Sequence, residues 1–311
     1  MTTETVRRAP GQTARAMSWM VFGTVAFATM HALVRHITQE VPVFEVAFFR
    51  NFFAVVALTP MFLRYGFTPL KTKRLGLLTL RGVLNIGAML AFFYALSVTP
   101  LATVSALGFS APIFATTLAM LLLGEVVRAR RWAAIVIGFA GALVIIRPGI
   151  IELDYGMLAV LLSSGLWALA LMVIKVLGRT ESSLTITLYM GVIMTPLSLG
   201  PALYVWVWPT WEQLAWLAGV GLVGAIAQWS MTEALRLGDT SEVMPLDFLK
   251  LIWASVIGYL IFSEVPDLFT WIGGLMIFGG ATYIAIRESE QRRHTAKAEA
   301  ARAAEAAALD R

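Results

Sequence analysis

The chain of 311 residues is 59% hydrophobic and only 14% charged. Because a soluble globular domain carries about 25% charged residues, this composition excludes a water-soluble fold. The formal net charge of +5 requires no nucleic-acid partner, since membrane proteins concentrate basic residues on one side of the bilayer. The absence of cysteine excludes disulfides, thiolate metal sites and a cysteine nucleophile.

Ten apolar stretches, separated by charged residues, proline and glycine, predict ten membrane-spanning helices. A helix needs roughly 20 apolar residues to cross a hydrocarbon layer of about 30 Å. In chain order, the first five spans are predicted at residues 16–36, 43–64, 75–97, 101–123 and 130–147. The other five are predicted at residues 155–177, 183–206, 212–235, 241–262 and 267–287. Since the stretches are apolar on all faces and longer than barrel strands, they predict an all-α membrane protein.

The basic residues predict the orientation of the spans, because the cytoplasmic connections of membrane proteins are enriched in Lys and Arg. One set of alternate connections carries nearly all of these residues, whereas the other set carries only Arg35 and Arg147. We therefore expect a multi-pass protein of a bacterial-type inner (plasma) membrane with both termini in the cytoplasm. Residues 1–15 would form a cytoplasmic segment without a cleaved signal peptide, and residues 288–311 a charged cytoplasmic tail.

The two halves of the chain resemble each other at a fixed spacing of 139 residues, at which Phe109 coincides with Phe248. Each half, residues 16–147 and residues 155–287, holds five spans. Because five is odd, the second half must enter the membrane from the side opposite to the first. The chain is therefore predicted to contain two inverted five-helix repeats, with a ligand site between them near the middle of the membrane.

Short motifs within the spans carry a resemblance to a known family. They are Phe48-Phe49-Arg50-Asn51, Arg81-Gly82-Val83-Leu84-Asn85, Tyr94-Ala95-Leu96, Ala111-Pro112-Ile113-Phe114, Gly124-Glu125, Glu233-Ala234-Leu235 and Ser263-Glu264. With these motifs the chain resembles the drug/metabolite transporter (DMT) superfamily in its EamA-type ten-helix branch, over about residues 16–287. The resemblance implies a cavity lined by spans one to four and six to nine, with spans five and ten at the periphery. The chain departs from the general pattern of the family at Asp247 and Lys250, which leaves the substrate open.

Lys250 and Asp247 in span nine are the strongest candidates for substrate binding. An ionisable side chain inside a span costs several kcal/mol unless it is paired or faces water. Lys250 lies roughly 14 Å of helix from the cytoplasmic end, and Asp247 is close enough along the helix to pair with it. The corresponding residues of the first half are Ala111 and Gly108, so the repeat itself does not require these charges. The alternative is an ion pair that only fixes helix packing.

Arg50 is a further charged candidate inside a span. Earlier in the halves the repeat aligns at a spacing of 140 residues, at which Arg50 corresponds to Met190. A guanidinium can donate two parallel hydrogen bonds to a carboxylate or a phosphate, so Arg50 would favour an anionic group of the substrate. The alternatives are a pair with Glu45 or extension of the side chain to the membrane surface.

Three more ionisable residues are candidates for gating or proton coupling. Glu233 would act as a gate or a proton acceptor, or would pair with Arg236 at the membrane surface. Since histidine titrates near neutrality, His31 in span one would suit proton coupling, although a lone buried histidine also serves in packing. Arg81 lies nearer to the cytoplasmic surface, where its side chain could extend to the interface instead.

Uncharged side chains within the spans could contact the body of a polar organic substrate or serve in helix packing. Aromatic rings can stack on such a ligand, and amides can exchange hydrogen bonds with it. The candidates are Tyr94, Asn85, Trp167, Gln228 and Trp229. Prolines remove backbone donors and bend helices. Pro112, Pro196 and Pro245 are predicted to interrupt spans four, seven and nine.

Together these features predict a secondary active transporter for a small polar or charged metabolite, anionic or zwitterionic, that works by alternating access with ion coupling or exchange. Two other classes stay open: an intramembrane enzyme acting on lipid head groups, and a channel or structural membrane subunit. No cofactor or metal site is predicted, because the sequence contains no P-loop, paired-histidine metal motif or serine nucleophile motif. Gly219, Gly221 and Gly224 match a dinucleotide-binding spacing, but inside an apolar span they predict close helix contact.

Overall fold

A computed structural model describes residues 12–65, 72, 74–123, 129–147, 154–177, 181, 183–237, 243–284 and 286. Across these ranges the regular structure is helical and no strand occurs, which confirms the all-α prediction. The predicted tail 288–311, residues 1–11 of the predicted N-terminal segment, and Glu125 lie outside the described residues.

The helices follow the predicted spans closely in both halves. In the first half they are α1 (Gln12–Ile37), α2 (Val43–Tyr65), α3 (Leu75–Val98), α4 (Leu101–Gly108), α5 (Ala111–Leu123) and α6 (Ala129–Ile146). The second half begins with α7 (Tyr155–Leu177), α8 (Ser183–Tyr204) and α9 (Trp211–Leu237). It ends with a 3-10 segment (Met244–Phe248), α10 (Leu249–Phe262) and α11 (Leu268–Ile284).

Five helical segments within the described ranges are long and apolar enough to cross a membrane. They are Ala14–Ile37, Leu75–Val98, Leu101–Leu118, Tyr155–Ile174 and Trp211–Ala234. Two shorter apolar helices, Trp132–Ile146 and Leu268–Ile284, form the main parts of spans five and ten. Because several separate segments have this character, the chain is a multi-pass membrane protein.

Spans four and nine are both broken near the middle of the bundle. α4 ends at Gly108 and α5 begins at Ala111. Pro112 lies in the first turn of α5. A backbone N–H at this place has no acceptor within its own helix, so proline is tolerated there. In span nine the 3-10 segment contains Pro245 and precedes α10. Pro196, by contrast, lies inside the continuous helix α8, so two of the three prolines accompany a break.

The helix contacts show the two-fold relation between the halves. Span one contacts span eight (α1 with α9), and the corresponding spans six and three are also in contact (α7 with α3). Span nine contacts span one (α10 with α1), and the corresponding spans four and six are in contact as well (α4 and α5 with α7). Spans two and seven, which correspond to each other, pack together as α2 and α8. When each span is replaced by the corresponding span of the other half, every contact in this set becomes another contact of the set or remains the same. The rings of Phe109 and Phe248, which coincide at the 139-residue spacing, stack on each other with centroids 6.0 Å apart. The predicted inverted two-repeat architecture is confirmed.

Spans five and ten pack on each other through glycine. A Cβ added at Gly141 would lie 2.7 Å from the carbonyl oxygen of Gly273, and one at Gly280 would lie 2.7 Å from the carbonyl oxygen of Ala134. These two contacts are equivalent at the 139-residue spacing. Glycine is required at both positions because α6 and α11 approach too closely for a side chain.

Candidate substrate cavity

A cavity of about 510 Å³ lies between the two halves, beside the breaks in spans four and nine. This volume suits a small organic ligand. The family resemblance implies that span ten is peripheral, but α11 adds Phe278, Ala281 and Thr282 to the wall. Phe278 reaches the wall because it packs on Phe109 and Phe248, at centroid distances of 5.5 and 4.6 Å.

Much of the cavity wall is apolar and consists of aromatic rings and methionines. The aromatic residues are Phe27, Phe92, Phe93, Phe109, Trp167 and Phe278. The methionines are Met30, Met89, Met190, Met194 and Met231. Because methionine is unbranched and polarizable, such a wall can adapt to the planar or apolar body of a ligand.

The structure brings most of the predicted site residues to this cavity. Seven of the eleven candidates line it: Lys250, Asp247, Arg50, Asn85, Trp167, Gln228 and His31. The other four candidates do not line it: Tyr94, Trp229, Arg81 and Glu233.

Tyr94 and Trp229 lie on outward faces of their helices, with 43% and 63% of the residue surface exposed. One residue along an α-helix turns the side chain by about 100°. Each ring therefore points away from a cavity-lining neighbour, Phe93 in α3 and Gln228 in α9. Trp229 packs instead on Trp19, with ring centroids 5.8 Å apart.

Arg81 and Glu233 lie close to the cavity without lining it. Arg81 is buried behind the wall, with Nη2 3.4 Å from the sulfur of the cavity residue Met190. Glu233 is half-buried in α9, shortly after the cavity residue Met231. Neither side chain is part of the cavity wall in this arrangement.

Lys250 and Asp247 form an ion pair at the cavity wall, with Nζ and Oδ1 2.5 Å apart. The same ammonium lies 4.6 Å from the centroid of the Phe27 ring, which adds a cation–π contact. Asp247 lies in the 3-10 segment and Lys250 in the first turn of α10. Gly108 and Ala111, the corresponding residues of the first half, also line the cavity. The wall therefore carries a neutralised ion pair in one half and small residues at the matching positions of the other.

Arg50 reaches the cavity without a carboxylate partner. Its Nη1 donates to Oδ1 of Asn51 at 3.1 Å and lies 3.7 Å from the sulfur of Met89. The buried Nε has no hydrogen-bond partner, and in the described part of the chain no carboxylate forms an ion pair with Arg50. Glu45 instead accepts the backbone N–H of Val207 at 2.6 Å, so the alternative pair considered from the sequence is not formed.

A chain of neutral groups holds the Arg50 guanidinium in place. Nδ2 of Asn51 donates to the hydroxyl of Ser198 at 3.3 Å, and that hydroxyl donates to the carbonyl of Met194 at 2.8 Å. Since the Ser198 oxygen acts as the acceptor, the oxygen of the Asn51 amide is turned towards Arg50. α8 therefore positions a cavity residue of α2.

The glycines of α9 make room for Arg50, in agreement with their predicted role in close helix contact. A Cβ at Gly221 would lie 2.5 Å from Cβ of Phe53 and 3.2 Å from the carbonyl oxygen of Arg50. A Cβ at Gly224 would lie 2.8 Å from the sulfur of Met30 and 3.7 Å from Nε of Arg50. A side chain at Gly221 would separate α9 from α2, whereas one at Gly224 would meet Met30 and lie at ordinary van der Waals distance from the guanidinium.

The uncharged polar groups of the wall come from Asn85, Gln228, Thr282 and two serines. Asn85 is 2% exposed, and within the described ranges neither its Oδ1 nor its Nδ2 has a hydrogen-bond partner. Ser163 donates to the carbonyl of Ala88 at 2.7 Å, which leaves its oxygen able to accept, and Ser164 also lines the cavity. Sequence reasoning missed both serines, although two adjacent hydroxyls in the middle of an apolar span are a usable signal.

Polar contacts join the two halves at the end of the bundle that is predicted to face outward. Arg35 of α1 pairs with Glu264, which follows α10, and donates to the carbonyl of Thr99 at 2.6 Å. Glu264 also accepts the backbone N–H of Leu101 at 2.8 Å. Because Arg35 is one helical turn beyond the cavity residue His31, these contacts lie directly beside the cavity.

A cavity between two inverted repeats of membrane helices is typical of secondary transporters. The model of the EamA-like transporter family matches residues 14–147 and 154–286, one match in each half. The chain therefore belongs to the EamA-like transporter family, and the resemblance to the EamA-type branch of the DMT superfamily is confirmed. It is a transporter of small metabolites and not an enzyme.

Named relatives and a solved structure agree with this assignment. The chain is 28% identical over 274 residues to the S-adenosylmethionine uptake transporter of Rickettsia bellii, covering 88% of this chain and 94% of the relative. It is 31% identical over 281 residues to the riboflavin transporter of Rhizobium johnstonii, covering 89% and 93%. A crystal structure of 19% identity is similar with a TM-score of 0.59, over 88% of this chain and 98% of the other. That last similarity shows the fold alone.

Proposed function

We propose that the chain is a secondary active transporter that carries a small polar or charged metabolite across the bacterial inner membrane by alternating access, with both termini in the cytoplasm. The observation that supports this proposal is the cavity between the repeats, since both halves build its wall and both supply polar groups. Rocking of one half against the other would open the cavity to each side in turn. Ion coupling or exchange would drive transport, because the sequence has no ATP-binding motif.

The contacts at the predicted outer end support a closed gate on that side. The Arg35–Glu264 pair joins span one to the end of span nine, and therefore one half to the other. The hydrogen bond from Val207 to Glu45 joins the end of span seven to the start of span two. Opening the cavity outward would require these contacts to break. A gate built from ion pairs and hydrogen bonds can exchange them for water when it opens.

In this proposal the substrate contacts the polar groups and rings of the cavity wall. The assigned residues are Arg50, Asn85, Trp167, Gln228, Asp247 and Lys250. If transport is coupled to protons, His31 or Asp247 would carry the proton, because both side chains line the cavity. Transport that does not respond to external pH or to an uncoupler would contradict proton coupling and favour exchange.

The proposal is tested by counterflow with the full chain reconstituted into liposomes. Since two relatives are named for S-adenosylmethionine and riboflavin, these compounds are the first labelled probes, followed by metabolites that raise the melting temperature of the purified protein. A carrier gives saturable uptake that is accelerated by unlabelled compound inside the liposomes. Arg50→Gln should reduce this uptake, whereas Arg74→Gln, at an exposed arginine before α3, should not.

Two results would contradict a carrier. Uptake that does not saturate and is not accelerated from the inside would indicate a channel. A compound that binds the protein but is never transported would indicate a structural or sensory role.

A further inference from the structure

We propose that Arg50 and Asn85 form a subsite for a carboxylate group of the substrate, whose planar or apolar body lies against the aromatic and methionine wall. This inference rests on the proposed function, because it takes the cavity to be the substrate site. The charge of the wall, the position of the guanidinium and the unsatisfied amide each support it.

The ionised side chains of the wall leave one positive charge without a partner. Lys250 and Asp247 neutralise each other, with Nζ and Oδ1 2.5 Å apart. Among the described residues, the polar contacts of the Arg50 guanidinium are with the amide oxygen of Asn51 and the sulfur of Met89. Because an unpaired charge inside the membrane is costly, the cavity favours a ligand that brings one negative charge. A phosphate monoester carries about −1.5 to −2 at neutral pH, whereas a carboxylate brings the single charge that Arg50 can balance.

The guanidinium of Arg50 is fixed, and most of its donors are free. One Nη1 donor is engaged by Asn51, whose own amide is held by Ser198. A planar guanidinium held in this way can donate two parallel hydrogen bonds to the two oxygens of a carboxylate.

Asn85 completes the subsite with a second donor and an acceptor. Its side chain is buried, at 2% exposure, and neither polar atom has a hydrogen-bond partner among the residues that the structure describes. Buried polar atoms without partners are rare in proteins and are expected where a ligand binds. Asn85 lies one helical turn from Met89 on α3, and Met89 contacts Nη1 of Arg50 at 3.7 Å. The amide therefore shares one part of the wall with Arg50, where its Nδ2 can donate to the same carboxylate.

The test compares matched compounds that differ in the carboxylate. The carboxylate pairs are indole-3-acetate with indole-3-acetamide and nicotinate with nicotinamide. A third pair, riboflavin 5′-phosphate with riboflavin, tests a phosphate ester instead, and every compound is titrated against the purified full chain by thermal shift. We expect the acids to bind at least about tenfold more tightly than their amides, as charge-assisted hydrogen bonds should. Arg50→Gln should remove this preference, Arg50→Lys should keep part of it, and Asn85→Ala should weaken binding of the acids. Arg74→Gln is the control that should change nothing.

Several results would overturn the inference. Equal binding of acid and amide, preferential binding of the phosphate ester, or an acid preference that survives in Arg50→Gln would each do so. Counterflow of an acid that persists unchanged in Arg50→Gln would overturn the carboxylate subsite and leave the transporter proposal intact. Acids that bind with the expected preference but show no counterflow would overturn the proposed function and leave the subsite intact. If Arg50→Gln does not fold, Arg50→Lys and Asn85→Ala decide the question.

Discussion

Removing one member of the Lys250–Asp247 pair should destabilise the protein more than removing both. The two side chains are 18% and 11% exposed, with Nζ and Oδ1 2.5 Å apart. Asp247→Asn would leave the ammonium with the Phe27 ring, 4.6 Å from its centroid, as its remaining described partner. Breaking a buried ion pair costs about 3–5 kcal/mol, whereas replacing both members with uncharged residues of similar volume is often close to neutral.

The expected magnitude is lower than for a fully buried pair, because both side chains border the cavity and keep some contact with water. We expect Asp247→Asn and Lys250→Met each to lower the free energy of unfolding by about 2 kcal/mol, and the double variant to lower it by about 1 kcal/mol. The coupling free energy between the two positions is then about 3 kcal/mol. Unfolding by SDS in mixed micelles, followed by circular dichroism, measures these differences.

The double variant also separates a structural pair from a functional one. A double variant destabilised by the full sum of the two single effects would refute the pairing. A stable double variant that retains counterflow would assign the pair to helix packing. A stable double variant without counterflow would assign it to transport.

Three further expectations concern helix contact, the outer gate and orientation. Gly273→Ala should lower the melting temperature by several degrees, because its Cβ would lie 2.5 Å from a backbone oxygen of α6. The control Gly279→Ala, whose Cβ would have nothing within 4 Å, should not lower it. Equal losses of melting temperature in the two variants would contradict the close crossing of α6 and α11. Glu264→Gln removes the ion pair with Arg35 and should therefore increase the labelling of a cavity cysteine from the outside. Unchanged labelling would contradict the proposed outer gate. Trp208→Cys, at a residue 83% exposed, should react with an impermeant maleimide added to intact cells, while protection there would reverse the proposed orientation.

The spans and their breaks can be predicted from sequence because the bilayer imposes simple requirements. Every span must be long, apolar and helical, and Pro112 and Pro245 mark the two breaks. Charged residues are also informative, since a charge inside a span avoids lipid. On that basis Arg50, Asp247 and Lys250 can be assigned to the interior, and the structure brings all three to the cavity.

The faces of the helices are harder to predict, because lipid and neighbouring helices are both apolar and no polar stripe marks the outer face. Tyr94 and Trp229 are assigned to the site by residue type alone, and both lie on outward faces. The support of Arg50 by Asn51 and Ser198 is equally hidden. It depends on the contact of α2 with α8, between residues 147 positions apart in the chain.

Alternating access at the cavity is tested most directly with a single cysteine at Ser164, on the cavity wall. The chain contains no cysteine, so Ser164→Cys introduces one thiol with little change in side-chain size. An impermeant maleimide is added to right-side-out and to inside-out vesicles, with and without Glu264→Gln. We expect labelling from the outside to rise and labelling from the inside to fall when the outer contacts are weakened. Labelling that rises from both sides together, or is absent from both, would contradict a cavity that opens to one side at a time.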